Sequence, residues 1–204
     1  MNWKTKIPLI AILRGIKPEE VVDHINALID AEFDAIEIPL NSPNWQKSIE
    51  LAIKTCGHKA LIGAGTVLKL EQVDELKQLG CQLIVTPNTN PSVIKKAVEY
   101  GMVVCPGCAT ATEAFNAIDA GSQNLKIFPS AVFGPSYIKA LKAVLPKNIA
   151  IFAVGGITPQ NLHEYIHAGC IGAGLGGDLY KAGQSADVTK QKAEDFIKAF
   201  KKAL

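Results

Sequence analysis

Short apolar segments rich in β-branched residues alternate with longer amphipathic segments along the chain, and this alternation constrains the fold more than any other feature. Helices of about three turns are predicted between the apolar segments. Several of these helices are followed by glycine, a typical C-terminal cap, at Gly80, Gly101, Gly121 and Gly169. Eight apolar segments are predicted as strands: Leu9–Arg14, Ala35–Pro39, Ala60–Gly65, Leu83–Thr86, Val103–Cys105, Leu125–Phe128, Ile149–Val154 and Ile171–Leu175.

Eight strands, each followed by a helix, predict the α/β class and a (β/α)8 TIM barrel. An open doubly wound sheet is the alternative, but it ordinarily has five or six strands. The chain has 204 residues with 48% hydrophobic content, which suffices for one substantial core. We therefore expect residues 1–204 to form a single barrel domain.

Composition excludes several classes of function. A net charge of +2 gives no reason to expect binding to nucleic acid or to an anionic membrane. No apolar run approaches the length of a transmembrane helix, and the first residues lack the pattern of a signal peptide. Five cysteines, an odd number, do not suggest a disulfide framework. The expected location is the reducing cytoplasm.

Three charged residues interrupt or end apolar strands: Lys126, Glu37 and Arg14. In a barrel of this kind the active site lies at the carboxyl ends of the strands, where these residues would converge. A lysine inside an apolar strand is either paired or kept with a lowered pKa, although a lysine whose ammonium reaches water is the ordinary alternative. Arg14 is the only arginine of the chain, and its planar guanidinium suits a carboxylate.

Other strand ends supply groups that could hold a substrate. Thr66 offers a hydroxyl after the third strand, and Pro87 follows the fourth. Glycine pairs follow the last two strands at Gly155-Gly156 and Gly176-Gly177. Barrels commonly bind phosphate at this position through backbone N–H groups, although either pair alone could simply form a tight turn.

Together these residues predict Schiff-base chemistry. Lys126 would attack a ketone and form an iminium, which withdraws electrons from the adjacent carbon–carbon bond. Glu37 would transfer protons directly or through water. Arg14 and Thr66 would hold a carboxylate beside the ketone. A 2-keto acid with a distal phosphate satisfies these groups and the glycine pairs.

Five motifs resemble one family closely: Glu-Ile-Pro-Leu at 37–40, Gly-Ala-Gly-Thr-Val at 63–67, Cys-Pro-Gly at 105–107, Lys-Ile-Phe-Pro at 126–129 and Val-Gly-Gly-Ile at 154–157. The chain resembles the 2-keto-3-deoxy-6-phosphogluconate and 6-phosphogalactonate aldolases over essentially its whole length. The resemblance implies a cofactor-free homotrimeric class I aldolase that yields pyruvate and glyceraldehyde 3-phosphate. It assigns the Schiff base to Lys126, acid–base work to Glu37, and substrate binding to Arg14 and Thr66.

Within that family the chain is most similar to the 6-phosphogalactonate branch. The 6-phosphogluconate enzymes commonly have Thr before the glycine pair, where this chain has Val154. The missing hydroxyl should alter how the C4 hydroxyl of the substrate is recognised. Gly177 replaces a serine found in many relatives, which leaves only a backbone N–H for the phosphate. The 6-phosphogluconate-derived epimer as main substrate remains an alternative.

Cysteines and histidines suggest other chemistry less strongly. The pair Cys105 and Cys108 forms a C-x-x-C motif without further zinc ligands. We expect Cys105 to line the barrel mouth and Cys108 to lie in the following loop. His163 and His167 are spaced i, i+4, but all four histidines fall outside the predicted strand ends, and we expect no metal site. A metal-dependent phosphosugar epimerase and a catalytically silent phosphate-binding barrel are kept as alternatives.

Overall fold

The computed structural model describes residue 3 and residues 5–204, and all of its strands are parallel. The absence of a signal peptide was expected from the N-terminal residues, of which 1, 2 and 4 lie outside this description. The strands are β1 (Leu9–Ile12), β2 (Ala35–Pro39), β3 (Leu61–Gly65), β4 (Leu83–Val85), β5 (Val103–Cys105), β6 (Gly107–Cys108), β7 (Asn124–Ile127), β8 (Ala150–Val154) and β9 (Gly172–Leu175).

The helices lie between the strands or after the last of them. They are α1 (Val21–Asp30), α2 (Trp45–Cys56), α3 (Leu70–Gln78), α4 (Pro91–Glu99), α5 (Ala111–Asp119), α6 (Ser130–Val144), α7 (Leu162–His167) and α8 (Ala186–Ala203). The four glycines predicted as caps follow α3, α4, α5 and α7 with positive φ angles, as expected. No helix of the described residues combines the length and apolar character that spanning a membrane requires.

The strand order β5-β4-β3-β2-β1-β9-β8-β7-β6 is that of a barrel cut at one place. The cut falls at Pro106, between β5, which has the predicted bounds of the fifth strand, and β6, a short continuation of that strand that was not predicted. β5 pairs with β4, and β6 pairs with β7, so the two halves join neighbouring strands on either side. Proline has no N–H to continue a ladder. The structure therefore confirms the predicted TIM barrel, with the fifth strand in two pieces.

Two apolar layers surround the sheet. Alternate strand residues point into the barrel, because successive side chains of a strand face opposite sides. The inner layer contains Ile10, Ile12, Ala35, Leu83, Val85, Val103, Cys105, Phe152 and Val154. The outer layer packs the strands against the helices and includes Leu125 and Ile127 of β7. Trp3 contacts Phe152, with ring centroids 4.6 Å apart, and closes the amino-terminal end of the barrel.

Candidate active site

Lys126 lies inside the barrel at its carboxyl end. It alternates on β7 with Leu125 and Ile127, which belong to the outer layer, so its side chain faces the interior. Its backbone N–H donates to the carbonyl of Pro106 at 2.9 Å, which fixes β7 beside the broken strand. The side chain is 7% exposed, and Nζ lies 4.9 Å from the ring centroid of Phe128.

The surroundings of Lys126 favour its neutral amine. Burial lowers the pKa of Lys126 below its ordinary value, and the guanidinium of Arg14 lowers it further. The carboxylate of Glu37 opposes this effect and raises the pKa. Because the neutral amine is the nucleophilic form, an interior lysine of this kind can attack a carbonyl carbon.

Glu37 is the second charged group inside the barrel. It stands at the centre of β2, is 2% exposed, and its Oε2 has no hydrogen-bond partner among the described residues. Burial raises the pKa of Glu37 to about 7, against the opposing attraction of Lys126 and Arg14. In the described part of the chain no ion pair within 4.0 Å joins Glu37 to Lys126. The carboxyl group is thus free to exchange a proton near neutral pH.

A cavity of about 520 Å³ opens at the carboxyl end of the strands. Nine of the ten predicted site residues line it: Arg14, Thr66, Pro87, Lys126, Val154, Gly155, Gly156, Gly176 and Gly177. Glu37 is the exception: it is buried, and its carboxylate occupies the space that a Cβ on Gly65 would take. The structure therefore brings the predicted residues together, while their individual roles remain predictions.

Arg14 and Thr66 occupy the rim on the side of β1 and β3. The Arg14 side chain is exposed, and its Nη1 donates to Oδ1 of Asn41 at 3.1 Å. Thr66 has a φ of 58°, in the left-handed region that a β-branched residue seldom adopts. Such conformations persist where the surrounding structure imposes them, frequently at ligand sites. Both side chains reach the same cavity from loops that follow buried strands.

The glycine pairs line the cavity after β8 and β9, and β9 is the neighbour of β1 in the sheet. Gly155 has a φ of 93°, and a Cβ there would lie 3.2 Å from the Phe128 ring. Gly156 has a φ of 74°, and a Cβ there would lie 2.5 Å from the Cβ of Ala131. Neither position accommodates a side chain, so backbone faces the cavity. A Cβ at Gly176 or Gly177 would meet no atom within 4 Å, so these two residues border open space.

Five residues that line the cavity were not predicted: Ile12, Phe128, Ile157, Gly174 and Asp178. Phe128 follows Lys126 by two positions, so strand alternation places it on the same face and could have identified it. Asp178 follows the second glycine pair directly and carries the one unpredicted charge of the lining. Gly174 belongs to the glycine cluster at the end of the eighth predicted strand and Ile157 to the Val-Gly-Gly-Ile motif, whereas Ile12 carries no sequence signal of a binding role.

The C-x-x-C pair does not form a site. Cys105 belongs to the inner layer and Cys108 to the outer layer, on opposite faces of the broken strand. The predicted position of Cys108 in a loop is wrong: it lies in β6, because the chain resumes strand pairing directly after Pro106. Both cysteines are free thiols, and burial raises the pKa of each. No three His, Cys, Asp or Glu residues of residue 3 and residues 5–204 are arranged to hold a metal ion.

Known proteins match this chain over its full length. The family model "KDPG and KHG aldolase" matches residues 2–194. The 2-dehydro-3-deoxy-6-phosphogalactonate aldolase of Escherichia coli strain K12 is 66% identical over 204 residues, covering 100% of both chains. A solved structure described as native KDPGal has a TM-score of 0.98 at 66% identity, covering 100% of this chain and 98% of that one.

A second solved structure is a cube-shaped, highly porous protein cage designed by fusing symmetric oligomeric domains. It has a TM-score of 0.97 at 67% identity, and the match covers 98% of this chain and 74% of that chain.

Proposed function

The chain belongs to the KDPG and KHG aldolase family, and from this we propose a class I aldolase that reversibly cleaves 2-dehydro-3-deoxy-6-phospho-D-galactonate to pyruvate and D-glyceraldehyde 3-phosphate. The enzyme is a carbon–carbon lyase that would act in D-galactonate catabolism. The full-length 66% identity to the Escherichia coli enzyme of that name supports the substrate. The observation that carries the mechanism is the placement of Lys126 and Glu37 together inside the barrel, with shifted pKa values of opposite direction.

The reaction begins at Lys126. Its neutral Nζ attacks the C2 ketone, and loss of water from the carbinolamine gives an iminium. Glu37 supplies the proton that the leaving hydroxyl requires. With a pKa raised to about 7, this carboxyl group holds a proton at neutral pH far more readily than an exposed glutamate does.

Bond cleavage follows from the iminium. Glu37, now ionised, takes the C4 hydroxyl proton directly or through a water, and the electrons of the C3–C4 bond pass to the iminium nitrogen. The C4 fragment leaves as glyceraldehyde 3-phosphate. The remaining enamine gains a proton at C3, and water releases pyruvate and the free amine of Lys126.

Substrate binding is assigned to the other predicted residues. Arg14 and Thr66 hold the carboxylate beside C2, because a guanidinium and a hydroxyl together satisfy its oxygens. Pro87 and Val154 contact the carbon chain. The backbone N–H groups of the glycine pairs bind the phosphate: Gly155, Gly156, Gly176 and Gly177. A cavity of about 520 Å³ is within the usual size of a small-molecule site.

Three alternatives are less well supported. The 6-phosphogluconate-derived epimer fits the same chemistry, but Val154 offers no hydroxyl with which to recognise C4. A metal-dependent epimerase needs histidines at strand ends, whereas His24, His163 and His167 lie in helices and His58 in the turn after α2. A silent phosphate-binding barrel leaves the costly burial of Lys126 and Glu37 unexplained.

The proposed assembly is a homotrimer in the cytoplasm. The designed cage supports self-association, because a closely similar chain occurs in a construction of symmetric oligomeric domains. Sedimentation equilibrium tests the trimer, and a monomeric mass would refute it. The odd number of cysteines supports the cytoplasm, which cell fractionation tests.

Borohydride trapping tests the proposed function. The protein is incubated with pyruvate, reduced with sodium borohydride and mapped by peptide mass. We expect a reduced three-carbon adduct on Lys126 and none in a Lys126→Arg variant, whose guanidinium is not nucleophilic at neutral pH. Lys142→Arg is the matched control and should keep the adduct, because Lys142 is exposed and its ammonium donates to the backbone carbonyl of Gly169, away from the cavity. An unmodified Lys126 in the wild-type protein would rule out the aldolase.

A further inference from the structure

One segment carries the second glycine pair: residues 176–184, which connect β9 to α8 and are called the cradle loop below. The loop starts with a turn in which the carbonyl of Gly176 accepts the N–H groups of Leu179 and Tyr180, each at 2.9 Å. The proposed phosphate donors Gly176 and Gly177 belong to this turn. They border open space, so side-chain packing does not hold them in place. Their position therefore depends on what anchors the rest of the loop.

Gln184 anchors the loop at its far end. Its Nε2 donates one hydrogen to the carbonyl of Leu179 at 2.9 Å and the other to Oγ1 of Thr189 at 2.7 Å. Its Oε1 accepts from Nζ of Lys192 at 3.3 Å. The Leu179 carbonyl only accepts and the Lys192 ammonium only donates, so this orientation of the amide is the one both partners allow. One side chain thus ties the turn to helix α8.

Thr189 and His24 support Gln184 from behind. Thr189 is fully buried on α8, and its hydroxyl donates to the carbonyl of Ser185 at 3.3 Å. The hydroxyl oxygen also accepts from Gln184 and forms a hydrogen bond with Nδ1 of His24, which lies 2.8 Å away. His24, on α1, is 3% exposed, and burial lowers its pKa. The lowered pKa favours the neutral ring.

The same loop also packs against α1 and against the loop that follows the neighbouring strand β1. Tyr180 packs edge-on against the His24 ring, with centroids 5.1 Å apart. The Cβ of Ala182 would lie 3.2 Å from a Cβ placed on Gly15, the residue that follows Arg14. The loop is thus held between α1, α8 and the loop that carries Arg14.

We propose that Gln184 is a positioning residue for phosphate recognition, supported by Thr189 and His24. It holds the Gly176–Gly177 backbone at the distance from Lys126 that the length of the substrate requires. This inference rests on the proposed function, since it takes the cradle loop to bind the substrate phosphate. Gln184 does not touch the substrate, and Lys126 and Glu37 do not depend on it.

A comparison of two reactions tests the proposal. Cleavage of the phosphorylated substrate uses the cradle loop, whereas exchange of pyruvate methyl protons with D2O uses the Schiff base but no phosphate. Gln184→Met keeps the length of the side chain and removes both donated hydrogens without adding charge. We expect KM for cleavage to rise about tenfold, as the loss of buried hydrogen bonds implies, while pyruvate exchange stays within about twofold of the wild type. Inorganic phosphate should also inhibit the variant less.

Matched variants separate positioning from general damage. Gln82→Met makes the same change near the start of β4, at the other end of the barrel, and should alter neither reaction. Thr189→Val should raise KM for cleavage in the same direction, and Thr189→Ser should restore it because the hydroxyl returns.

An unchanged KM in Gln184→Met would overturn the proposal, and so would equal losses of cleavage and pyruvate exchange, which indicate a structural defect. The proposal would also fail if the wild-type protein exchanges pyruvate protons but its KM for cleavage does not depend on the substrate phosphate. That result would still support the Schiff-base function. A wild-type protein without exchange would overturn the proposed function and this inference with it.

Discussion

At the scale of single residues, Lys126 and Glu37 influence each other's pKa because both side chains lie inside the same barrel. Burial disfavours the charged form of both, so the pKa of the lysine falls and that of the glutamate rises to about 7. Each charge limits the shift of the other by attraction. The neutral amine is therefore favoured relative to an exposed lysine, and the carboxyl group holds a proton near pH 7, which is what attack on a ketone and departure of water require.

Val154 gives a prediction at the residue scale about substrate preference. Its side chain lines the cavity, and its Cγ2 would lie 2.9 Å from a Cβ placed on Gly174, so the position is closely packed. Val154→Thr conserves shape and adds one hydroxyl, which should shift the ratio of the two kcat/KM values toward the gluconate-derived epimer by about tenfold. Coupled assays of both epimers measure this ratio. An unchanged ratio would show that another residue recognises the configuration of the substrate at C4.

At the scale of secondary-structure elements, β3 makes room for the glutamate of β2. Glu37 pairs in register with Gly63, and its carboxylate lies against Gly65. A side chain at either glycine would point into the barrel, where strand alternation places it. The Gly-Ala-Gly segment is therefore as necessary to the buried carboxylate as its own strand is.

Gly65→Ala should damage the site directly. Its Cβ would overlap the carboxylate of Glu37, which must move, and overpacking of this kind costs about 1–3 kcal/mol of stability. We expect kcat to fall by about a hundredfold or more in the folded protein, since catalysis is sensitive to misplacement of about 1 Å. Steady-state kinetics and urea unfolding measure the two effects.

Gly63→Ala is the matched control for this prediction. Its Cβ would overlap the side chain and the backbone carbonyl of Leu83 rather than Glu37. A comparable loss of stability is expected, with kcat much less affected. Equal losses of kcat in the two variants would contradict the specific role of Gly65.

At the scale of the whole molecule, closure of the barrel assembles the active site and also buries its ionisable groups, which lowers the stability of the fold. Parallel strands bring residues separated by much of the chain to one end, so Arg14 and Gly177 line the same cavity. The same closure removes Glu37 from water. Folding stability and catalysis therefore oppose each other at this residue, as they often do in functional sites.

This opposition predicts how stability depends on pH. The pKa of Glu37 rises on folding from 4.5 to about 7, so the folded state binds the proton more tightly than the unfolded chain. Its contribution is fully present below about pH 4.5 and is lost as the pH rises to about 7, a change on the order of 3 kcal/mol. Glu37→Gln cannot titrate and should lose less stability over this interval.

Urea unfolding of both proteins at pH 5 and pH 8 checks this expectation. In Glu37→Gln, Lys126 no longer has a carboxylate beside it, so its pKa falls further. This change also stabilises the folded variant relative to the wild type at high pH. The free energy of unfolding of the variant, relative to that of the wild type, should therefore be higher at pH 8 than at pH 5. A stability difference that stays constant with pH would refute the coupling.

The amino-acid sequence by itself determined the barrel, the positions of Lys126 and Glu37, and the glycine pairs, because these signals are local. Strand and helix periodicity, a charge in an apolar strand and glycines after a strand are all read within a few residues. Because the carboxyl ends of all strands converge in a barrel, residues recognised from local patterns can be placed together in one site.

Only the tertiary structure decided what depends on distances between segments remote in the chain. Examples are the space that Gly65 leaves for the Glu37 carboxylate, the opposite faces of Cys105 and Cys108, and the hydrogen bonds that join Gln184 to Thr189 and Thr189 to His24. Pro106 marked a break, but pairing on both sides of it was needed to place Cys108 in a strand. Register and side-chain packing arise from all segments at once, so no window of sequence contains them.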